Sequence, residues 1–304
     1  MKIIIGFLLL LSTSTNAQDS LNFTKTEIIY GRKDGMALTM VMEAPKQHAN
    51  GKAIVNVISG NWRSSYEQML RLTEWDKLYL DNGYTVFAVM HSSQPKYAIP
   101  DEVLDLKRAV RFIRYHAADY KVDPSKIGIT GASSGGHLAL MVATADDSAD
   151  KNARDEVDRV SSRVQAAAVF YPPTDFLNYG QQGINPAMSQ AMLVATNLAA
   201  AFDFKKWNDT TRTYVSITDY DAKIKIAKDN SPIYAVSADD PPVLIAHGDA
   251  DRIVPLQQSE TIIQKLEEAK VPGKLIIKKG GSHGWRNIDA EQKEFLNWFD
   301  KYLK

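Results

Sequence analysis

Ser133 stands in the run Gly131-Ala132-Ser133-Ser134-Gly135, a G-x-S-x-G pattern. A serine hydroxyl is a weak nucleophile until a neighbouring base takes its proton. The flanks of this run fit that task. Ile127-Gly128-Ile129-Thr130 ahead of it reads as a strand, and Gly136-His137-Leu138-Ala139-Leu140 behind it reads as a helix start. A strand, a sharp turn and a helix in that order lift a serine clear at the strand end, and glycines beside it leave room for the turn. The chemistry this predicts is attack on a carbonyl through an acyl-serine. Ser134 is out of frame, because Ala132 stands two residues before it. Its backbone N–H at the helix N-terminus is a candidate donor to the oxyanion.

The nucleophile needs a base, and the base needs a carboxylate to orient it. Where a serine is raised on such a turn, the chain order is serine, acid, histidine. His48, His91, His116 and His137 precede or closely neighbour Ser133 and read as surface or core residues. His247 ends a strand and leaves no later strand-edge loop for an acid before it. His283 lies in Gly280-Gly281-Ser282-His283-Gly284, a loop between the last strand and the final helix. It is the expected base. One strand earlier, His247-Gly248-Asp249-Ala250-Asp251-Arg252 offers two acids. Spacing alone does not separate Asp249 from Asp251.

The elements that must position these groups alternate along the chain. Ala53 to Ile58 is a short Val/Ile-rich run that suits a strand buried on both faces. Tyr84 to Met90, Lys126 to Thr130, Gln165 to Tyr171, Val243 to Ala246 and Lys274 to Lys278 read as further strands. Thr26 to Tyr30 and Leu38 to Met42 read as two earlier strands joined at Lys33-Asp34-Gly35. Helical patterns are expected at Tyr66 to Asp81, Val103 to about Ala118, Ser134 to Thr144, Leu256 to Ala269 and Asp289 to Leu303. Such alternation predicts an α/β fold with a doubly wound, mostly parallel sheet. Residues 177–235 break the rhythm and are rich in aromatics. They are expected to form a cap-like insertion over the sheet edge. The charged stretch Asp146 to Arg163 is expected to be solvated.

The chain has 304 residues, with 36 basic and 36 acidic side chains and no cysteine. Balanced charge gives no field to attract nucleic acid. Zero cysteines exclude disulfides and thiolate metal sites, and neither metal nor cofactor is expected. Lys2, the apolar run Ile3 to Leu11 and the small-residue site near Ala17-Gln18 have the pattern of a secretory signal peptide. The run is shorter than the ~20 apolar residues that span a bilayer. A leader at 1–17 is therefore expected, then one domain over 18–304, secreted or periplasmic, without stable membrane insertion. Oligomeric state is not legible.

Three segments give a resemblance. Asp123-Pro124-Ser125-Lys126-Ile127 leads into Gly131 to Gly136. Pro241-Pro242-Val243 leads into a His-Gly-x-x-Asp-x-x-Val-Pro pattern at His247 to Pro255. Ile99-Pro100 to Asp105 and Arg108-Ala109-Val110 form the third. Together they resemble the α/β-hydrolase superfamily over nearly all of Lys25 to Lys304. The likeness is to the branch with hormone-sensitive-lipase-like and bacterial feruloyl and acetyl esterase-like enzymes. The resemblance implies that Asp251 is the acid and that Asp249 forms the turn. It also implies an ester substrate, small or linked to a polysaccharide.

The sequence departs from that branch in two places. Where the branch often reads His-Gly-Gly-Gly-Trp, this chain reads Ile58-Ser59-Gly60-Asn61-Trp62, and Val89-Met90-His91-Ser92 replaces a common Tyr-Arg-Leu. Amides of Asn61 and Ser134, with Gly60, are the expected oxyanion donors. Trp62 follows that loop and Trp285 follows the base by two residues, so both are expected to line the substrate pocket. The competing expectation is that each is a core anchor. Two other functions compete with ester hydrolysis. A prolyl-oligopeptidase-like peptidase shares the triad, but its relatives carry a large upstream propeller for which the stretch after Gln18 is too short. A non-catalytic binding protein would have no need of all three groups.

Overall fold

The computed structural model describes residues 22–147, 149–189, 193–194 and 198–304. The expected leader at 1–17 lies outside the described residues. The chain begins with an antiparallel hairpin, β1 (Phe23–Lys33) and β2 (Met36–Pro45). Then come β3 (Ala53–Val57), α1 (Tyr66–Asp81), β4 (Thr85–Val89), α2 (Ile99–Tyr115), β5 (Ile127–Ala132), α3 (Ser134–Thr144) and β6 (Ala166–Phe170). The 177–235 segment carries a small hairpin, β7 (Lys205–Asn208) and β8 (Thr213–Ser216), and a helix, α4 (Tyr220–Asp229). The chain closes with β9 (Val243–Gly248), α5 (Gln257–Glu268), β10 (Gly273–Lys278) and α6 (Asp289–Tyr302).

Eight strands form one sheet in the order β1-β2-β4-β3-β5-β6-β9-β10. From β4 to β10 every pairing is parallel. The mostly parallel α/β sheet expected from the sequence is therefore present. Every residue of β3, β4 and β6 is buried, because helices cover both faces. The two-residue period of the strands sorts their side chains. Val55, Val57, Ile129, Val169 and Ile245 pack with α2, α3 and α5. Ile54, Val86, Ala168, Phe170 and Leu244 pack with Tyr79 and Leu80 of α1 and Phe295 and Phe299 of α6. In α1, the Ser65 hydroxyl accepts the Gln68 N–H at 3.2 Å to start the helix.

The charged stretch Asp146 to Arg163 is strapped to α2, which corrects the expectation of free solvation. Arg108 meets Asp155 and Asp158, each at 2.7 Å, and Arg111 meets Asp147 at 3.0 Å. The described part of 177–235 is anchored in the core. Phe202 and Phe204 of this segment are buried in the core beside Phe176. Tyr179 donates to the Ile253 carbonyl at 2.9 Å, which ties the start of the segment to the loop after β9.

Candidate active site

Ser133 sits between β5 and α3 with φ 54° and ψ −122°, a left-handed conformation that a non-glycine residue adopts only under constraint. The constraint is visible. The Ser133 N–H donates to the Phe170 carbonyl at 3.0 Å, and the Ser133 carbonyl accepts the His137 N–H at 2.9 Å. A side chain at Gly131 would lie 2.6 Å from the Gly135 carbonyl, and one at Gly135 would lie 2.7 Å from the Val57 carbonyl. Both glycines are thus required by space, as the motif predicted.

His283 is brought to the serine by two laced loops. The Ala250 N–H donates to the Gly281 carbonyl at 2.9 Å, and Asp249 accepts the Gly280 N–H at 2.5 Å. His283 Nε2 lies 2.9 Å from Ser133 Oγ, and its Nδ1 lies 2.8 Å from Asp251 Oδ2. Asp251 thus takes the position that the resemblance gave it, and Asp249 staples the loops. Asp251 also accepts the N–H groups of Ile253 and Val254 at 2.8 and 2.9 Å. The buried His247 adds a contact at 3.4 Å. Burial pushes the Asp251 carboxyl up, but hydrogen bonds from His247, His283 and Val254 outweigh it and hold the group well below the usual carboxylate range. It is therefore a permanent anion facing Nδ1–H, which leaves Nε2 free to accept the serine proton. His247 is a supporting residue that chain order had set aside. Its Nδ1 faces Ser259 Oγ at 2.6 Å and its Nε2 faces the Val254 carbonyl at 2.9 Å. Tyr171 packs on the His283 ring with centroids 4.7 Å apart.

The oxyanion donors need one correction. The Gly60 N–H donates to the Arg63 carbonyl at 2.9 Å, in a bridge that Arg63 returns at 3.0 Å. Gly60 is therefore not a free donor. Among the described residues the N–H groups of Asn61 and Ser134 are not hydrogen-bonded. Gln94 holds the Asn61 carbonyl at 2.9 Å, and Ser59 Oγ meets Ser134 Oγ at 3.1 Å.

Both tryptophan expectations are also corrected. Asn61 and Trp62 have φ 52° and 54°, and this left-handed pair turns the indole inward. Trp62 is 4% exposed. Its Nε1–H donates to His137 Nδ1 at 3.1 Å, and its ring packs edge-on against Phe176 and Phe202. Burial pushes the His137 imidazole down to about 4, so it stays neutral and accepts that bond. Trp285 packs on Phe170 and Tyr171 and reaches Glu291 at 3.3 Å. Neither tryptophan lines the cavity of about 530 Å³ beside Ser133. Its walls come instead from α1 (Gln68, Arg71, Trp75, Asp76, Tyr79), from Asn56 and Thr130, and from Phe170, Tyr171 and His283. Among the described residues, nothing from 177–235 lines it.

The BD-FAE family pattern matches residues 40–266, three quarters of the chain. The chain belongs to the BD-FAE family, an α/β-hydrolase family of esterases. It is 30% identical over 189 residues to the probable carboxylic ester hydrolase LipM of Mycobacterium tuberculosis, covering 61% of this chain and 38% of that one. It is 29% identical over 213 residues to esterase LipQ of the same organism, covering 70% and 43%. The chain thus spans about two fifths of the length of these curated relatives. Among solved structures, a truncated carbohydrate esterase from gut microbiota superposes with a TM-score of 0.69 at 25% identity, covering 93% of this chain and 97% of that one. An acetyl ester-xyloside bifunctional hydrolase from Caldicellulosiruptor lactoaceticus gives 0.71 at 22% identity, covering 91% and 96%, which is a likeness of fold.

Proposed function

We propose that this BD-FAE protein is a serine esterase that cleaves carboxylic esters through an acyl-enzyme. The observation that carries the reading is the unbroken hydrogen-bonded chain Ser133–His283–Asp251 at the edge of a cavity. Ser133 Oγ attacks the ester carbonyl carbon while its proton passes to His283 Nε2. The carbonyl oxygen becomes an oxyanion, and the N–H groups of Asn61 and Ser134 are assigned to hold it. As the carbon–oxygen bond breaks, His283 returns the proton to the leaving alcohol. Water then enters, gives a proton to His283, and releases the acid and free Ser133 by the same steps reversed.

The relatives' names supply the substrate class. LipM and LipQ are described as ester hydrolases, and the gut-microbiota structure as a carbohydrate esterase. Small acyl esters and acetyl or feruloyl groups on polysaccharides are therefore the proposed substrates. Export of the chain rests on the pattern of residues 1–17 alone, and N-terminal sequencing of the protein recovered from its host would test it. The activity is tested with p-nitrophenyl esters of rising chain length, acetylated xylan, methyl ferulate and a peptide amide. Hydrolysis of esters that vanishes in Ser133→Ala is expected. Amide cleavage at a comparable rate, or no loss in Ser133→Ala, would overturn the reading.

A further inference from the structure

The cavity beside Ser133 has a polar deep end. Thr130 precedes Ser133 by three residues on an extended strand, so it lies about 10 Å below the nucleophile. Asn56 is Thr130's register partner on β3 and lies at the same depth. The opposite wall is α1, which joins the parallel strands β3 and β4 and so runs back down the sheet. Asp76 comes eight residues after Gln68 on that helix, about 12 Å of descent. The two estimates place Asp76 level with Asn56 and Thr130. The distances between side chains agree: Asn56 Nδ2 donates to Asp76 Oδ1 at 2.8 Å. Asp76 is 1% exposed, and its Oδ2 is buried without a hydrogen-bond partner.

A buried carboxyl oxygen left without a partner is costly, and the cost falls when a matching group arrives. Burial first, and the charge of Glu43 second, push the Asp76 carboxyl well above its usual range. The neutral acid has one O–H to give. Above it the walls are the flat rings of Trp75, Tyr79 and Phe170, which suit an aryl arm.

We propose that Asp76, held by Asn56, receives a hydroxyl group at the end of the substrate arm that enters this cavity. The proposal rests on the ester-hydrolase reading and assigns a specificity-determining residue to it. Asp76 Oδ2–H donates to the incoming hydroxyl oxygen, and an arm that ends in hydrogen leaves the carboxyl unmatched.

Two matched pairs test the idea. One pair is the methyl esters of phenylpropionic acid and of its para-hydroxy derivative, which differ in the acyl arm. The other is the acetates of phenylethanol and of its para-hydroxy derivative, which differ in the alcohol arm. In one pair kcat/KM should favour the hydroxylated ester by about tenfold or more. Asp76→Leu should bring that ratio to within about twofold of unity while the plain ester is still hydrolysed. Asp76→Asn, which keeps the Asn56 contact and a donor, should retain the preference. A wild-type ratio near one in both pairs overturns the inference whether or not the variants fold. A preference that survives Asp76→Leu overturns it too. Hydrolysis of both members of a pair at equal rates leaves the ester-hydrolase reading standing, whereas hydrolysis of none of the four esters removes both.

Discussion

His283 Nε2 lies 2.9 Å from Ser133 Oγ, although 150 residues of chain separate them. The contact exists because both residues leave the same edge of the parallel sheet. β6 and β9 stand between β5 and β10 in the sheet, so the loop after β10 reaches back across them to the turn after β5, and Asp249 and Ala250 fasten it from the loop after β9. The geometry therefore depends on the shared sheet edge and on the lacing of these two loops together.

Asp251 and Asp249 should respond differently to the same change. Asp251→Asn removes the anion that holds His283 Nδ1–H, and kcat should fall by up to about four orders of magnitude. Asp249→Asn loosens a staple at the exposed Gly280 N–H and should lower kcat only slightly. Steady-state kinetics with p-nitrophenyl acetate reads both. Exchanged results would give the orienting role to Asp249.

Trp62 should behave as an anchor. Its indole joins the oxyanion loop to His137 of α3, whose Nε2 reaches the Asn230 carbonyl at 2.8 Å at the end of α4. Trp62→Ala should cost about 3–5 kcal/mol of stability. It should lower kcat/KM for large and small esters by similar factors. A selective rise in KM for aryl esters, with an unchanged melting temperature, would return Trp62 to the substrate pocket.

The structure separates what side-chain pattern encodes from what backbone twist decides. Buried strands of Val and Ile, the span Tyr66 to Asp81 of α1, and the turn at Ser133 follow from residue type and period. The Asp251 assignment came from a family pattern, since Asp249 has the same chemistry two residues away. Trp62 was misread because sequence neighbourhood says nothing of two successive left-handed residues, which turned its ring into the core. The Gly60 amide was lost to a bridge with Arg63 for the same reason. Residues 177–235 gave no period because the strands β7 and β8 have no fully buried residue. Asp76 carried a signal that went unused: a carboxylate beside Trp75, three residues before Tyr79 and four before Leu80.

Glu102 should make stability fall as pH rises. Its carboxyl is buried on α2, both oxygens lack hydrogen bonds, and His91 Nδ1 stands 3.8 Å away. Burial, then the charges of Asp105 and Asp101, push Glu102 well above its usual range against the pull of Lys33. Burial pushes His91 down to about 4. Both groups are thus neutral at neutral pH in the folded protein. The unfolded chain releases the Glu102 proton above about 4.3 while the folded chain keeps it, so this group lowers stability as pH rises from there towards the folded value. His91 acts in the opposite sense, lowering stability as pH falls from about 6.5 to about 4. Glu102→Gln, which mimics the neutral acid, should raise the melting temperature at pH 8 and leave it nearly unchanged at pH 4. An equal or lower melting temperature at pH 8 would contradict the buried-neutral assignment.

The central claim is that Ser133 is the nucleophile. The most direct measurement is to react the protein with a fluorophosphonate, follow ester hydrolysis during the reaction, and locate the adduct by peptide mass spectrometry. The account predicts one phosphonyl group on Ser133 and activity that falls in step with labelling. Adduct on Ser134, or full activity after complete labelling of Ser133, would contradict it.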